Sequence, residues 1–255
     1  MEHEFAWPDR FQGAVSLTYD DGLPIHCSVV DPLLREHSLR ATFYPMTQSD
    51  LRLHPTDWRE LAAAGHELGN HTVFHPCRQN PVHPHAWLDE RYDLRTYTPA
   101  QLRAELEAAN LVLHLLDGET ERSYGNTCCD TSFGRDEQPI EPLLSDLFIA
   151  ARGALTNRIA RPTRQLDLYN IGCIDAAGYS LADLQGVCEQ ARVTGGWAVL
   201  MIHGVGAGTH ELYVDSDVHR RFIQWLARQD AIWTSPVRNI AAYVREQLLR
   251  DAESS

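Results

Sequence analysis

The stretch Ala14-Val-Ser-Leu-Thr-Tyr-Asp20 has the composition of a buried β-strand, and a turn containing Gly22 and Pro24 follows it. The next residues predict a helix over 29–37 and a second strand over 40–45. This alternation of a short apolar strand with an amphipathic helix continues along the chain. It favours parallel strands, because a helical crossover returns the chain in the direction of the strand before it.

Helix caps mark several of the later elements. Thr98, Pro99 and Gln101 form a capping-box pattern at a helix start, and Thr56 is expected to cap an earlier helix. Further strands are predicted over 66–71, 121–127, 148–153, 166–174, 197–203 and 232–235, and further helices over 57–64, 99–116, 181–193, 217–229 and 237–250. Seven or eight such units predict an α/β fold, a distorted (β/α) barrel of seven or eight strands that forms a single domain over residues 1–255.

Composition excludes several functional classes. The chain has 22 basic and 35 acidic side chains, and a net charge of −13 argues against a nucleic-acid partner. All 22 basic residues are arginine, so Schiff-base chemistry on lysine and a phosphate-loop lysine are excluded.

The sequence predicts a cytoplasmic protein with reduced thiols. Residues 1–15 lack the basic and apolar regions of a signal peptide, and the longest apolar run, Trp197–Ile202, is too short to span a membrane. No pair of cysteines has the CxxC spacing of a zinc knuckle or a redox motif. The oligomeric state stays open.

Polar side chains follow several of the predicted strands. In a β/α barrel the carboxyl ends of the strands meet on one face, where functional residues lie. Two carboxylates, three imidazoles and other polar groups are therefore expected to converge there. These residues are Asp20, Asp21, His71, His75, Tyr124, Arg152 and His203.

The convergence predicts a metal site. His71 and His75 are four residues apart, so on a helical turn they would face the same way, and a carboxylate from another strand would complete a three-ligand set. Of the adjacent Asp20 and Asp21, one could bind the metal while the other acts as a base. Two histidines and one carboxylate suit one divalent ion, zinc first, with cobalt, manganese or iron as alternatives.

Three segments identify the family that the chain resembles. Ser16-Leu-Thr-Tyr-Asp-Asp-Gly22 resembles the first motif, Thr-Phe-Asp-Asp-Gly, of the polysaccharide deacetylases. This family is also called carbohydrate esterase family 4, and its domain is the chitooligosaccharide deacetylase homology domain. His71-Thr-Val-Phe-His75 is similar to the second motif, His-Ser/Thr-x-x-His. Leu200-Met-Ile-His203 is similar to the last, a strand that ends in histidine.

The resemblance implies a role for each matching residue. Asp21, His71 and His75 would hold the metal, Asp20 would be the general base and His203 the general acid. The implied reaction is metal-assisted hydrolysis of an N-acetyl amide of a sugar or oligosaccharide, with release of acetate, in surface polysaccharide synthesis.

The middle motifs depart from the family pattern. The usual Arg-x-Pro-Tyr/Phe is replaced by Arg122-Ser-Tyr-Gly125, in which Tyr124 could still supply an oxyanion N–H. Either Arg122 or Arg152 could support the base. No Asp-x-x-Asp-Trp motif is present to orient the acid, and Asp167 and Asp175 are the candidates for that role.

These departures leave two alternative functions open. One is a metal-dependent hydrolase of a small amide or imide that is not a carbohydrate, for which a closed pocket rather than an open groove is expected. The other is a carbohydrate-binding barrel without activity. The presence of the complete base, acid and ligand set favours an enzyme.

Overall fold

A computed structural model describes residues 5–82 and 84–253 of the chain. The strands are β1 Gly13–Asp20, β2 Thr42–Tyr44, β3 Glu67–Leu68, β4 Ser123–Gly125, β5 Ser132–Phe133, β6 Gln138–Pro139, β7 Ala150–Leu155, β8 Ile171–Asp175, β9 Trp197–Ile202, β10 Gly204–Val205, β11 Tyr213–Val214 and β12 Ile232–Thr234. The α-helices are α1 Asp31–Glu36, α2 Asp50–Leu53, α3 Pro55–Ala63, α4 Pro99–Asp117, α5 Glu141–Leu144, α6 Leu181–Thr194, α7 Ser216–Leu226 and α8 Val237–Glu253.

The main sheet is parallel and curls into a barrel. Its strand order is β3-β2-β1-β9-β8-β7-β4, and β12 also pairs with β1. A parallel bridge between Asn70 and Tyr124 joins the two ends of this order, with Asn70 N–H donating to Ser123 O and Gly125 N–H donating to Asn70 O, both at 2.9 Å. The predicted barrel of seven or eight strands is confirmed.

Strand β1 separates an apolar layer from a polar interior. All eight of its residues are buried. Val15, Leu17 and Tyr19 pack in the largest hydrophobic cluster. The alternate residues point the other way, since side chains of a strand alternate between its faces. Thr18 Oγ1 on that second face donates to Leu200 O at 2.8 Å, and Asp20 ends the strand. The core therefore fixes which side chains enter the barrel.

Helix boundaries follow their caps where the caps are strong. Thr98 and Gln101 form the predicted capping box of α4, and Gly118 ends that helix with a φ of 73°. The prediction that Thr56 caps α3 is wrong, because Pro55 takes the first helical position and His54 precedes it. The predicted strand 66–71 is shorter, because only Glu67 and Leu68 pair with β2.

No helix within residues 5–82 and 84–253 combines the length and the apolar character needed to cross a membrane.

Candidate active site

Asp20 forms a buried ion pair with Arg152. Both side chains are almost inaccessible, and the guanidinium donates through Nη1 to Asp20 Oδ1 and through Nη2 to Oδ2, each at 2.6 Å. The same Nη1 donates to Thr18 Oγ1 at 3.1 Å, and the ring of Tyr44 lies 5.0 Å from the guanidinium carbon. A planar guanidinium fits a carboxylate in this two-bonded manner, so Arg152 fixes the orientation of Asp20.

The surroundings of Asp20 favour its ionised form. Burial alone opposes ionisation, but the Arg152 guanidinium and the His71 and His203 imidazoles hold the pKa of this carboxyl below its usual range. An ionised carboxylate beside the metal-ligand candidates can accept a proton.

His71 and His75 converge through a left-handed turn. The expectation that a helical turn aligns them is wrong, because Thr72 has a φ of 65° and His75 a φ of 55°. Asn70 Oδ1 accepts the Thr72 N–H at 2.8 Å, and Thr72 Oγ1 accepts the His75 N–H at 2.9 Å. Side chains that bond to nearby backbone favour such turns over helix.

Asp21, His71 and His75 form a set of candidate metal ligands. Asp21 Oδ1 lies 3.5 Å from His71 Nε2 and 3.3 Å from His75 Nε2. A tetrahedral site with bonds of about 2.0–2.1 Å has ligands roughly 3.4 Å apart, so this spacing suits a metal such as zinc. Asp21 Oδ1 is buried and has no hydrogen-bond partner among the described residues. The donor set therefore fits a divalent cation.

Burial favours the metal-binding form of His75. It lowers the pKa of this imidazole to about 4, aided by the nearby His71 and opposed by Asp21. A neutral imidazole is the form that binds a metal ion. The pKa of Asp21 is low despite burial, since His71 and His75 favour its charged form.

The Nδ1 atoms of His71 and His75 have different partners. His71 Nδ1 is 2.7 Å from Gly125 O, so its Nε2 is free to face the other ligands. A Cβ at Gly125 would lie 3.2 Å from His71 Nδ1, which explains why glycine suits this position. His75 Nδ1 lies 3.5 Å from the sulfur of Cys77.

Cys77 forms a disulfide with Cys128, which corrects the expectation of reduced thiols for this pair. The two cysteines are 51 residues apart, and no local spacing indicates the bond. It joins the loop that carries His75 to the loop that follows β4. Cys27, Cys129, Cys173 and Cys188 are free thiols.

His203 follows β9 and faces Asp20, with its Nε2 atom 3.9 Å from Asp20 Oδ2. Its Nδ1 atom is buried and has no hydrogen-bond partner within the described residues. Burial lowers the pKa of this imidazole. Asp167 and Asp175 do not orient it, because they accept the backbone N–H groups of Tyr169 and Ala177 in turns.

Of the remaining candidates, Arg122 and the Tyr124 ring lie outside the site. Arg122 lies away from Asp20, where it forms an ion pair with Asp117 and donates to Leu68 O. The Tyr124 ring is buried against Phe148, so only its backbone is available to the site.

His210 also lies at the site, although it is not among the residues predicted from the sequence. Its ring stacks on His203 with the ring centres 4.9 Å apart, and its Nε2 atom lies 3.6 Å from Asp21 Oδ2. No motif or regular spacing indicates it, because a turn after β10 brings it back over the barrel.

The segment that carries the two aspartates and the paired histidines is similar in sequence to known proteins. The model of the family described as polysaccharide deacetylase matches residues 9–125, which include Asp20, Asp21, His71 and His75. The resemblance to the polysaccharide deacetylase family is confirmed. A chitooligosaccharide deacetylase from Rhizobium leguminosarum bv. trifolii is 41% identical over 64 residues, which cover 24% of this chain and 29% of that protein.

A longer match is more distant. A gellan lyase from a Bacillus species is 24% identical over 94% of this chain, but the match covers only 10% of that protein. The chain thus spans less than a third of each of these curated relatives.

Solved structures show the polysaccharide deacetylase fold over nearly the whole chain. A Mycobacterium smegmatis protein described as a polysaccharide deacetylase has a TM-score of 0.66 and 17% identity, and the match covers 97% of this chain and 95% of that one. A family 4 acetyl xylan esterase from Clostridium thermocellum, solved with a cobalt ion, has a TM-score of 0.56 and 18% identity, with 90% and 91% of the two chains covered.

Proposed function

We propose that this protein is a hydrolase that removes the N-acetyl group of an acetylated sugar or oligosaccharide and releases acetate, with one divalent metal ion as cofactor. The observation that carries the proposal is the placement of the Asp20–Arg152 pair beside Asp21, His71 and His75. The site thus offers an oriented carboxylate and a ligand set that fits a metal.

Each residue of the proposed site has a distinct part in the reaction. A divalent ion, when bound by Asp21, His71 and His75, supplies Lewis acidity that makes water more acidic and polarises a carbonyl. Asp20 accepts a proton from the attacking water while Arg152 holds both its oxygens. His203 donates a proton to the departing amine, and the carbon–nitrogen bond breaks to leave a free amine and acetate.

Exposed aromatic rings beside the ligands favour a sugar substrate. The Trp87 ring lies 5.8 Å from the His75 ring and is 61% exposed. Phe74 is 41% exposed and stacks on Tyr92. Large aromatic rings are costly to leave in water, and they provide flat apolar surfaces for a ligand. A hydrolase of a small amide or imide remains the alternative outcome of the assay.

The finer parts of the proposal concern metal, pathway and location. Zinc is the first choice of metal because the set contains two imidazoles and one carboxylate. A product with a free amine suits the synthesis of a surface polysaccharide. The cytoplasmic location stays a prediction, and the Cys77–Cys128 disulfide is more typical of an oxidising compartment. Cell fractionation with the native gene would decide the location.

The proposal is tested by metal content together with acetate release. Purified protein is assayed on N-acetylglucosamine oligomers, before chelation, after chelation and after zinc or cobalt is restored. We expect stoichiometric metal and acetate release that chelation abolishes and metal restores. Metal binding without acetate release, combined with turnover of a small cyclic amide, would instead support the alternative. Failure to bind any divalent metal would refute the ligand set.

A further inference from the structure

The turn between β10 and β11 holds His210 against the active site. Thr209 Oγ1 donates to Gly206 O at 2.7 Å, and Gly204 N–H donates to Leu212 O at 2.9 Å. A Cβ at Gly204 would lie 2.9 Å from His210 Cβ, so the turn folds closely over this glycine. These contacts keep the His210 ring parallel to that of His203, with 9° between their planes.

The hydrogen bonds of the turn also orient the two ring nitrogens of His210. The Leu212 N–H donates to His210 Nδ1 at 3.0 Å. Nδ1 therefore acts as an acceptor, and the ring proton resides on Nε2.

The His210 Nε2–H group points toward the ligand side of the site. Its distance of 3.6 Å from Asp21 Oδ2 is too long for a hydrogen bond, and no other residue that the structure describes accepts from it. The side chain is 29% exposed and can be reached by a bound molecule. The same tautomer argues against metal binding by His210, because a ligating nitrogen cannot keep its proton.

The two stacked imidazoles face different partners. His203 Nε2 lies near Asp20, the proposed base, whereas His210 Nε2 lies near Asp21, a proposed metal ligand. We propose that His210 is a further catalytic residue, whose Nε2–H donates a hydrogen bond to the acyl oxygen of the substrate. This inference rests on the proposed function.

The donor would act mainly as charge develops on that oxygen. No proton is transferred, since the N–H bond remains intact and only a hydrogen bond strengthens. Removing one such donor from an oxyanion site typically lowers kcat about 10²–10³-fold. The geometry thus provides a side-chain donor in a site where the Tyr124 ring is turned away.

Two substitutions separate donation from stacking. His210→Phe keeps a flat ring beside His203 but removes the donor, whereas His210→Gln keeps an N–H donor without the aromatic ring. His54→Phe, at an exposed histidine directly after α2, is the matched control. Each variant is loaded with zinc and its metal content is measured. Then kcat, KM and the Kd of the product acetate, by calorimetry, are determined.

We expect His210→Phe to lower kcat by about 10²-fold or more, to weaken acetate binding and to leave metal content unchanged. His210→Gln should recover at least a tenth of the lost activity. Full activity in His210→Phe would show that stacking is sufficient and would overturn the proposal. Loss of metal from both variants would overturn it in favour of a ligand role.

Failure of the proposed function is distinguishable from failure of this inference. If wild-type protein binds metal but hydrolyses none of the amides, the deacetylase proposal fails, while acetate affinity still tests the donor. Weaker acetate binding in His210→Phe than in His210→Gln would support His210 as a donor in that case as well. Equal acetate affinity in all variants, including no binding to any of them, would overturn the inference.

Discussion

The ligand side of the site, with the proposed metal ligands Asp21, His71 and His75, and the donor side, with His203 and His210, hold their imidazoles in different ways. On the ligand side, His71 Nδ1 contacts Gly125 O and His75 Nδ1 contacts the Cys77 sulfur. On the donor side, His203 Nδ1 is buried without a partner among the described residues, and His203 stacks on His210. Both imidazoles of the ligand side have a polar contact at Nδ1, whereas His203 on the donor side is positioned mainly by packing.

The difference follows from which segments of the chain supply the contacts on each side. Residues 70–75 form a turn in which side chains bond to neighbouring backbone, so the relative placement of His71 and His75 is set locally. The donor side combines β9 with the turn after β10, and nothing in the described chain replaces the usual acid-orienting aspartate. Local contacts give a recognisable motif, whereas packed contacts allow the sequence to vary.

Removing a metal ligand should have the largest effect. Asp21→Ala or His71→Ala leaves two ligands, so we expect metal affinity to fall by more than the roughly 10–100-fold cost of losing an outer contact. Acetate release should become undetectable. Metal analysis and the acetate assay check this, with His54→Gln as a control at an exposed histidine. Retention of one metal ion per chain by both variants would contradict the ligand assignment.

Breaking the Asp20–Arg152 pair should affect activity and stability together. Arg152→Gln leaves a buried carboxylate without its cation, and such a loss costs about 3–5 kcal/mol of unfolding free energy. Asp20→Asn removes the proposed base and should lower kcat about 10²–10⁴-fold. Denaturant unfolding and steady-state kinetics measure the two effects. Additive stability losses in the double variant would mean that the two side chains do not interact.

The pair also has a defined pH dependence. The pKa of Asp20 is lower in the folded protein than in an unfolded chain, where it is about 4. Ionised Asp20 therefore stabilises the fold above that pH, and this contribution is lost as the pH falls through the folded-state pKa. In Asp20→Asn this part of the acid dependence should disappear.

The fold was predictable because its signals are local. The buried strand β1, the capping box of Thr98 and Gln101, and the apolar strand β9 each define an element without reference to distant residues. The prediction that Thr56 caps α3 was wrong because Pro55, one residue earlier, is also a strong helix start. The barrel then followed from the order of elements.

The site was predictable only where its residues lie in motifs. The carboxylates after β1 and the paired histidines were visible, although the turn that unites the histidines depends on positive φ at Thr72. The contact of Arg152 with Asp20 spans 132 positions, so the sequence offered Arg122 equally. His210 depends on a turn that folds back, and Cys128 on a loop that meets Cys77 in space. Such contacts exist only after folding.

Removing the disulfide should weaken metal binding on the ligand side and have little effect on the donor side. Cys128→Ser opens a link across 51 residues, and the loop-entropy model gives about 4 kcal/mol for a loop of this length. Because Cys77 lies beside His75, we expect weaker metal binding in the variant, while acetate release by the metal-saturated enzyme should change little. Urea unfolding and metal titration measure these effects, with Cys27→Ser as the free-thiol control. Unchanged metal affinity would show that His75 does not need this link.

A buried histidine behind the donor side should give the smallest effect. His219 Nε2 lies 2.8 Å from the Tyr19 hydroxyl, and burial lowers the pKa of His219 to about 4. An unfolded chain binds that proton near pH 6.5, so the stability associated with neutral His219 is full above this pH and is lost as the pH falls toward 4. The whole loss amounts to about 3 kcal/mol.

His219→Phe tests this account, because phenylalanine fills a similar volume and does not titrate. Urea unfolding of wild type and variant at pH 7.5, 6 and 5 should show a smaller loss of stability on acidification in the variant. The Tyr19 hydroxyl loses its partner, so the variant starts with lower stability at pH 7.5. Parallel pH profiles for the two proteins would mean that His219 does not couple proton binding to folding. In that case the packing behind the donor side would depend on pH through other groups.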